Sequence, residues 1–244
     1  MLAFRRLIEG SLLPLFCLSC GSGPLPGRGE KGLVLCPRCV RRLAPWERFS
    51  ACRSCGLPLA PGPVGGLLCG ACGTSPFPWS ELLVGWWYRA PIEAPVRAFK
   101  YQGWDFLADA LSMPLSEAVL NLEEPVQSVV PVGSSLSRLF RRGYNPPSLL
   151  AKAIARLLDL PLAAGLFRYD LSGPQVKRKL AERRVLKARF LWVGSKLSVR
   201  GKSVLLVDDV LTTGATAAAA ARALLRVGAK RVRLAVVCRT PLNR

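Results

Sequence analysis

Thirteen residues, Val204 to Thr216 (VLLVDDVLTTGAT), constrain this chain more than any other stretch. The apolar run Val204–Val207 predicts a strand buried in a parallel sheet. It ends in two adjacent carboxylates, Asp208 and Asp209, in a chain of formal net charge +20. A turn containing Thr212, Thr213 and Gly214 follows. Ala217 to Arg226 then reads as a helix, because alanine and leucine propagate one well. Strand, hydroxyl-rich turn and helix start together make an anion site, since the first N–H groups of a helix lack partners within it. Thr212, Thr213 and Thr216 add hydroxyl donors, and Gly214 lets the backbone approach a phosphate closely. The carboxylates repel a phosphate, so they face sugar hydroxyls, a metal ion or both. Phosphate at one end and a diol at the other describe a phosphorylated ribose.

Two other readings of the acids stand beside this one: a metal pair at a strand end, and a helix N-cap with a spare acid. A P-loop is excluded, because the Gly-x-x-x-x-Gly-Lys-Ser/Thr spacing is absent. The stretch resembles the signature loop of the phosphoribosyltransferases that use phosphoribosyl pyrophosphate (PRPP). That resemblance implies that Asp208 and Asp209 hold the ribose 2′- and 3′-hydroxyls and that Thr212, Thr213, Gly214, Ala215 and Thr216 hold the 5′-phosphate. Asp208 and Asp209 are the candidate catalytic pair, and Val207 joins the ligand-binding set.

Eight of the nine cysteines fall in four Cys-x-x-Cys pairs: Cys17/Cys20, Cys36/Cys39, Cys52/Cys55 and Cys69/Cys72. A tight turn aims both sulfurs of a pair at one ion, and two pairs complete a tetrahedral zinc site. Gaps of fifteen, twelve and thirteen residues leave room for a short hairpin per site. Two structural zinc ions held by sequential pairs are expected, though an interleaved arrangement satisfies the spacing as well. The chain has no histidine, so all ligands are thiolates. A reducing compartment disfavours disulfides, and no βαβ unit surrounds the pairs to favour redox chemistry. Segment 17–78 is rich in Gly and Pro and poor in core residues, so metal must hold it together. Cys238, in an apolar run, reads as a core thiol.

At 244 residues, half of them hydrophobic, the chain has room for an ordinary domain and a smaller one. Lys and Arg number 35 against 15 Asp and Glu, which predicts attraction to polyanions. Sixteen basic and three acidic residues lie between Arg138 and Lys202, a net of +13 that is either a nucleic-acid surface or a solvated face. Arg5-Arg6 before an apolar stretch imitates a secretory leader, but Glu9 interrupts it and it ends at Cys17, so an amphipathic helix is expected. No run of about twenty apolar residues offers a membrane span, and a cytoplasmic location is expected.

Pro76 and Pro78 mark the end of the cysteine module, giving expected domains of 1–78 and 79–244. Strands are predicted at Leu82–Trp87, Val126–Val132, Val204–Val207 and Val232–Val237. Helices are predicted near Pro91–Tyr101, Asp105–Asn121, Ser148–Leu158 and Ala217–Arg226, the last closed by Gly228-Ala229. Alternating strands and helices imply a parallel α/β sheet covered on both faces, with ligands outside the carboxyl ends of its strands. Val132, Gly133, Ser134 and Ser135 then form a second loop beside the first. In phosphoribosyltransferases the corresponding loop receives pyrophosphate. Arg138, Arg141 and Arg142 could neutralise that charge or lie solvated, and Mg²⁺ normally accompanies pyrophosphate. Lys100 reads either as a participant or as a surface lysine.

Zinc pairs first and sugar-phosphate loop last, the chain resembles the ComF family over nearly its whole length. Phe99-Lys100-Tyr101-Gln102-Gly103 is similar to that family's Lys-Tyr-x-Gly segment. Arg142-Gly143-Tyr144-Asn145 is similar to its Arg-Gly-Phe-Asn element, and Gln175, Arg183 and Phe190 to its Gln…Arg…Phe stretch. The resemblance implies a double zinc ribbon ahead of a type I phosphoribosyltransferase-type domain. It also implies a role in uptake or use of single-stranded DNA in natural competence, alongside DNA-uptake machinery proteins. Pro146 stands where the family usually has Gln, and Val185 where it has Asn; both changes remove an amide near the acceptor side. Two functions follow: a transferase moving phosphoribose to an acceptor, or a non-catalytic accessory protein that binds single-stranded DNA with PRPP as effector; a third, a PRPP-sensing transcriptional regulator, is disfavoured because no helix-turn-helix module is apparent. In the second, Tyr144, Tyr169 or Trp192 would be stacking surfaces.

Overall fold

The computed structural model describes residues 15–29, 32–47, 50–59, 68–134, 139–140, 143–169, 189–192, 194–195 and 198–241. Its strands are β1 (Glu81–Trp87), β2 (Ser128–Pro131), β3 (Leu166–Tyr169), β4 (Arg189–Trp192), β5 (Ser203–Leu211) and β6 (Arg231–Arg239). Its helices are α1 (Pro37–Val40), α2 (Gly70–Thr74), α3 (Glu93–Tyr101), α4 (Leu107–Leu120), α5 (Pro146–Leu157) and α6 (Ala215–Arg226). The apolar runs of β1, β6, β5 and β2 form one parallel sheet in that order.

Side chains alternate across a strand, and β5 uses both faces. Leu205 and Val207 join Leu111 and Leu115 of α4 and Leu150 and Ile154 of α5. Val204 and Leu206 join Ala217, Ala220, Ala221 and Leu224 of α6 on the other side. This is the expected parallel α/β sheet with helices on both faces. Gly228 ends α6 at φ 95°, and the Ala229 N–H returns to the Leu224 carbonyl at 3.1 Å, as the sequence predicts. Cys238 is buried in the core.

One expectation changes. The acids do not end β5, which continues through them and pairs with β6 as far as Leu211 opposite Arg239. The neighbour on the other side ends instead, because β2 stops at Pro131 opposite Val207. From Asp208 onward, β5 therefore has one uncovered edge, and a crevice opens there.

The sequence reading also missed a small antiparallel sheet, in which Leu166 pairs with Trp192 and Tyr169 with Arg189. Four-residue strands inside a basic segment show too little alternation to be read.

The cysteine module is less poor in core residues than its composition suggests. Leu33, Val34 and Leu35 are buried in the same cluster as Leu83 of β1, Ile92 and Phe99. Ala44–Trp46 lies along the outer edge of β1: the Trp87 N–H donates to the Ala44 carbonyl at 3.0 Å and the Trp46 N–H to the Gly85 carbonyl at 3.2 Å. That pairing protects an edge that would otherwise offer unpaired backbone groups. No helix among the described residues is long and apolar enough to cross a membrane.

Candidate functional site

A cavity of about 550 Å³ opens on the uncovered edge of β5. Its walls include Val132, Gly133 and Ser134 after β2, Asp208 and Asp209 on β5, the turn Thr212–Gly214, and Ala215 and Thr216 at the start of α6. The two loops singled out in the sequence thus face one space. Val207 is buried beneath it, and its carbonyl accepts the Val132 N–H at 2.8 Å, which holds the loops side by side.

The acids are oriented by local bonds. Asp208 Oδ1 accepts the Asp209 N–H at 2.9 Å, and Asp209 Oδ1 accepts the Val210 N–H at 2.6 Å. Lys100 is no solvated surface lysine. Its Nζ lies 3.0 Å from Asp209 Oδ1, with the two side chains 16% and 11% exposed. The contact fixes the position of both side chains against the cavity wall.

Gly214 begins α6 in the left-handed region at φ 78°, where a side chain is strained. A Cβ there would also lie 2.7 Å from Phe77 Cε1. The Ala215 N–H turns toward Thr213 Oγ1 at 3.4 Å. A twelve-residue helix with hydroxyls at its start presents polarised N–H groups to the cavity.

The opposite wall is assembled by residues to which the sequence assigned no positioning role. Asn145 donates through Nδ2 to the Val132 carbonyl at 3.1 Å and accepts from Ser134 Oγ at 2.6 Å. The Tyr144 hydroxyl donates to the Phe99 carbonyl, one residue before Lys100. These two residues of the Arg-Gly-Tyr-Asn element therefore position both the Val132–Ser134 loop and the lysine. Pro146 opens α5 at its first turn, where a missing N–H costs nothing. Gly133 is tightly enclosed: a Cβ would lie 2.2 Å from the Leu166 carbonyl oxygen. Tyr101, from the Lys-Tyr-x-Gly-like segment, also lines the cavity, as do Tyr88, Pro147, Arg168 and Thr240, which were not foreseen. Burial pushes the Tyr88 phenol up, with Glu93 acting in the same direction, so its hydroxyl remains a donor at neutral pH. Arg138, Arg141, Arg142, Ser135, Gln175, Arg183, Val185 and the expected N-terminal helix lie outside the described residues, as do the side chains of Tyr169, Phe190 and Trp192.

The cysteines group as Cys17, Cys20, Cys36 and Cys39, and as Cys52, Cys55, Cys69 and Cys72, with the sulfurs of each set within 4.8 Å of one another. Sequential pairing is therefore correct and the interleaved alternative is not. Sulfurs of Cys20 and Cys36 lie 3.8 Å apart and those of Cys55 and Cys69 3.7 Å. Tetrahedral zinc–thiolate bonds put sulfurs about 3.8 Å apart, so both sets fit structural zinc. Each is built the same way. The first pair closes a turn, with the Gly21 N–H bonded to the Cys17 carbonyl and the Gly56 N–H to the Cys52 carbonyl, both at 2.8 Å. The second pair rides on a short helix, α1 or α2. Ser22 hydrogen bonds pull the Cys20 thiol down to about 6, which favours the thiolate a metal requires.

Comparison with known proteins agrees with both halves. Residues 9–73 match the family model described as a double zinc ribbon domain, and residues 148–243 the one described as a phosphoribosyl transferase domain. The chain is 33% identical to the DNA utilization protein YhgH of Salmonella typhimurium, over 84% of this chain and 90% of that protein. It is 27% identical to Competence protein F of Haemophilus influenzae, over 82% and 88%. It is 31% identical to Competence protein ComFC of Bacillus subtilis, over 58% and 56%. By this likeness and by its two domain types, the chain belongs to the ComF family of competence and DNA utilization proteins.

Proposed function

We propose that the cavity on the open edge of β5 binds PRPP with Mg²⁺ and that the protein is a phosphoribosyltransferase acting in the use of DNA. The observation that carries this reading is the convergence of an acid pair, a threonine-rich helix start and a second backbone loop on one cavity. Asp208 and Asp209 accept hydrogen bonds from the ribose hydroxyls. Thr212, Thr213 and Thr216, with the backbone of Gly214 and Ala215, take the 5′-phosphate. Val132, Gly133 and Ser134 receive the pyrophosphate, joined by Arg142, while Lys100 orients Asp209. Mg²⁺ would sit among the pyrophosphate oxygens and the ribose hydroxyls that Asp208 and Asp209 face, and its chemistry there would be to neutralise phosphate charge.

In transfer, the bond from ribose C1 to the pyrophosphate oxygen breaks, the acceptor's electron pair forms the new bond at C1, and pyrophosphate leaves. The chain contributes positioning and stabilisation of the departing charge. Thiolate clusters of this kind persist in a reducing compartment, which supports a cytoplasmic location. Calorimetric titration with PRPP, ribose 5-phosphate and pyrophosphate, each with Mg²⁺, tests the reading. PRPP should bind more tightly than either fragment, because one molecule spans both subsites. Equal affinity for PRPP and ribose 5-phosphate would contradict it.

The net charge of +20 supports a second reading, in which the protein binds single-stranded DNA beside the DNA-uptake machinery and PRPP is an effector. DNA affinity would then fall steeply between low and moderate salt, with no pyrophosphate released when nucleobases or DNA fragments are offered as acceptors. Release with any of them favours the transferase.

A further inference from the structure

The second cysteine cluster reaches the Leu211–Gly214 backbone through a buried cation. Arg239, the last residue of β6, is 4% exposed. Its Nε donates to the Cys55 carbonyl at 2.7 Å, and its Nη1 donates to the carbonyls of Leu211 at 3.0 Å and Thr212 at 2.7 Å. One side chain therefore clamps a cysteine turn onto the loop at the base of the cavity.

A buried guanidinium needs charge opposite it. A divalent ion on four thiolates leaves a cluster net negative, so a loaded cluster supplies that countercharge.

A second link runs in parallel. The Phe77 N–H donates to Ser54 Oγ at 3.1 Å, and Trp79 Nε1 donates to the Ser54 carbonyl at 2.8 Å. Ser54 lies between the ligands Cys52 and Cys55. The Phe77 and Trp79 rings stack at 4.4 Å, and Phe77 is the ring that a Cβ on Gly214 would strike. Both links begin in the Cys52–Cys55 turn and end on the loop. Among the described residues, the first cluster makes no hydrogen bond to it.

We propose that Arg239 is a positioning residue, and that metal loading of the second cluster, not the first, sets the shape of the Leu211–Gly214 loop and its affinity for a phosphorylated sugar. The ligand arm of this inference rests on the sugar-phosphate reading of the loop; the coupling itself does not.

The test uses the full chain and three variants, Arg239→Lys, Cys69→Ser in the second cluster and Cys20→Ser in the first. Zinc content, amide exchange across Leu211–Ala215, and titrations with ribose 5-phosphate and with pyrophosphate are read on each. Lysine keeps the charge of Arg239 but not its fork of donors, so Arg239→Lys should retain both zinc ions. It and Cys69→Ser should exchange faster than wild type across the loop. Both should bind ribose 5-phosphate about tenfold more weakly, as loss of a hydrogen bond to a charged group implies. Pyrophosphate binding should not change, and Cys20→Ser should match wild type in both loop readouts. Wild-type exchange in Arg239→Lys overturns the proposal, even where Cys69→Ser fails to fold. Equal loosening of the loop by Cys20→Ser overturns it too. Loop loosening confined to the second cluster, in a protein that binds no ribose 5-phosphate, upholds the coupling and refutes the ligand reading instead.

Discussion

Lys100 and Asp209 meet at 3.0 Å from positions 109 residues apart, and most of each side chain is hidden from solvent. Removing the lysine leaves a carboxylate without its partner in a place where water cannot fully replace it. Lys100→Met should therefore cost roughly 2 kcal/mol of stability, measured by urea unfolding. Adding Asp209→Asn should restore part of that loss, because the second change removes the stranded charge. Purely additive losses in the two variants would show that the pair is not coupled. The sequence left Lys100 undecided for a physical reason. Its partner is supplied by tertiary packing, and helical spacing says nothing about a residue on a distant strand.

At the scale of elements, the β5–turn–α6 unit was legible because every group it uses is consecutive in the chain. Strand, acids, hydroxyls and helix start follow one another in thirteen residues, so local rules reach all of them. The facing wall was not legible in the same way. Asn145 looks like an ordinary residue ahead of a helix, yet its amide ties Val132 and Ser134 in place. Tyr144 bonds the Phe99 carbonyl across 45 residues. The resemblance to a family pointed at these two residues without saying what they do, and Tyr144 was otherwise read only as a stacking surface. The strand end was misjudged at Asp208 because β6 continues to pair with β5 beyond it. Gly214 is the point in this unit where a single methyl group should matter most. Gly214→Ala combines a left-handed φ with a 2.7 Å approach to Phe77, and a penalty of about 1–3 kcal/mol is expected from the backbone strain. Thermal unfolding should show that loss, and ribose 5-phosphate should bind more weakly while pyrophosphate binding is spared.

At the scale of the molecule, the cysteine module and the sheet share a core. Leu33–Leu35 pack with Leu83, Ile92 and Phe99, and Arg239 joins the second cluster to β6. The composition of residues 17–78 predicted a metal-held module but not this continuity, since three buried residues barely register in a Gly- and Pro-rich stretch. Anything that binds only the folded state stabilises it by mass action. A strong chelator should therefore lower the melting temperature of the whole chain in one transition seen alike by far-ultraviolet dichroism and tryptophan fluorescence. Two separated transitions, with the sheet melting at an unchanged temperature, would mean that the expected units 1–78 and 79–244 are energetically independent.

The central claim is that Asp208, Asp209 and the start of α6 together hold a phosphorylated ribose. Its most direct test is calorimetric titration of PRPP with Mg²⁺ into wild type and into the double variant Asp208→Asn/Asp209→Asn, with zinc content confirmed equal. Wild type should bind with measurable heat, and the variant should bind at least about tenfold more weakly, the equivalent of roughly 1.4 kcal/mol. Indistinguishable isotherms for the two proteins would contradict the account.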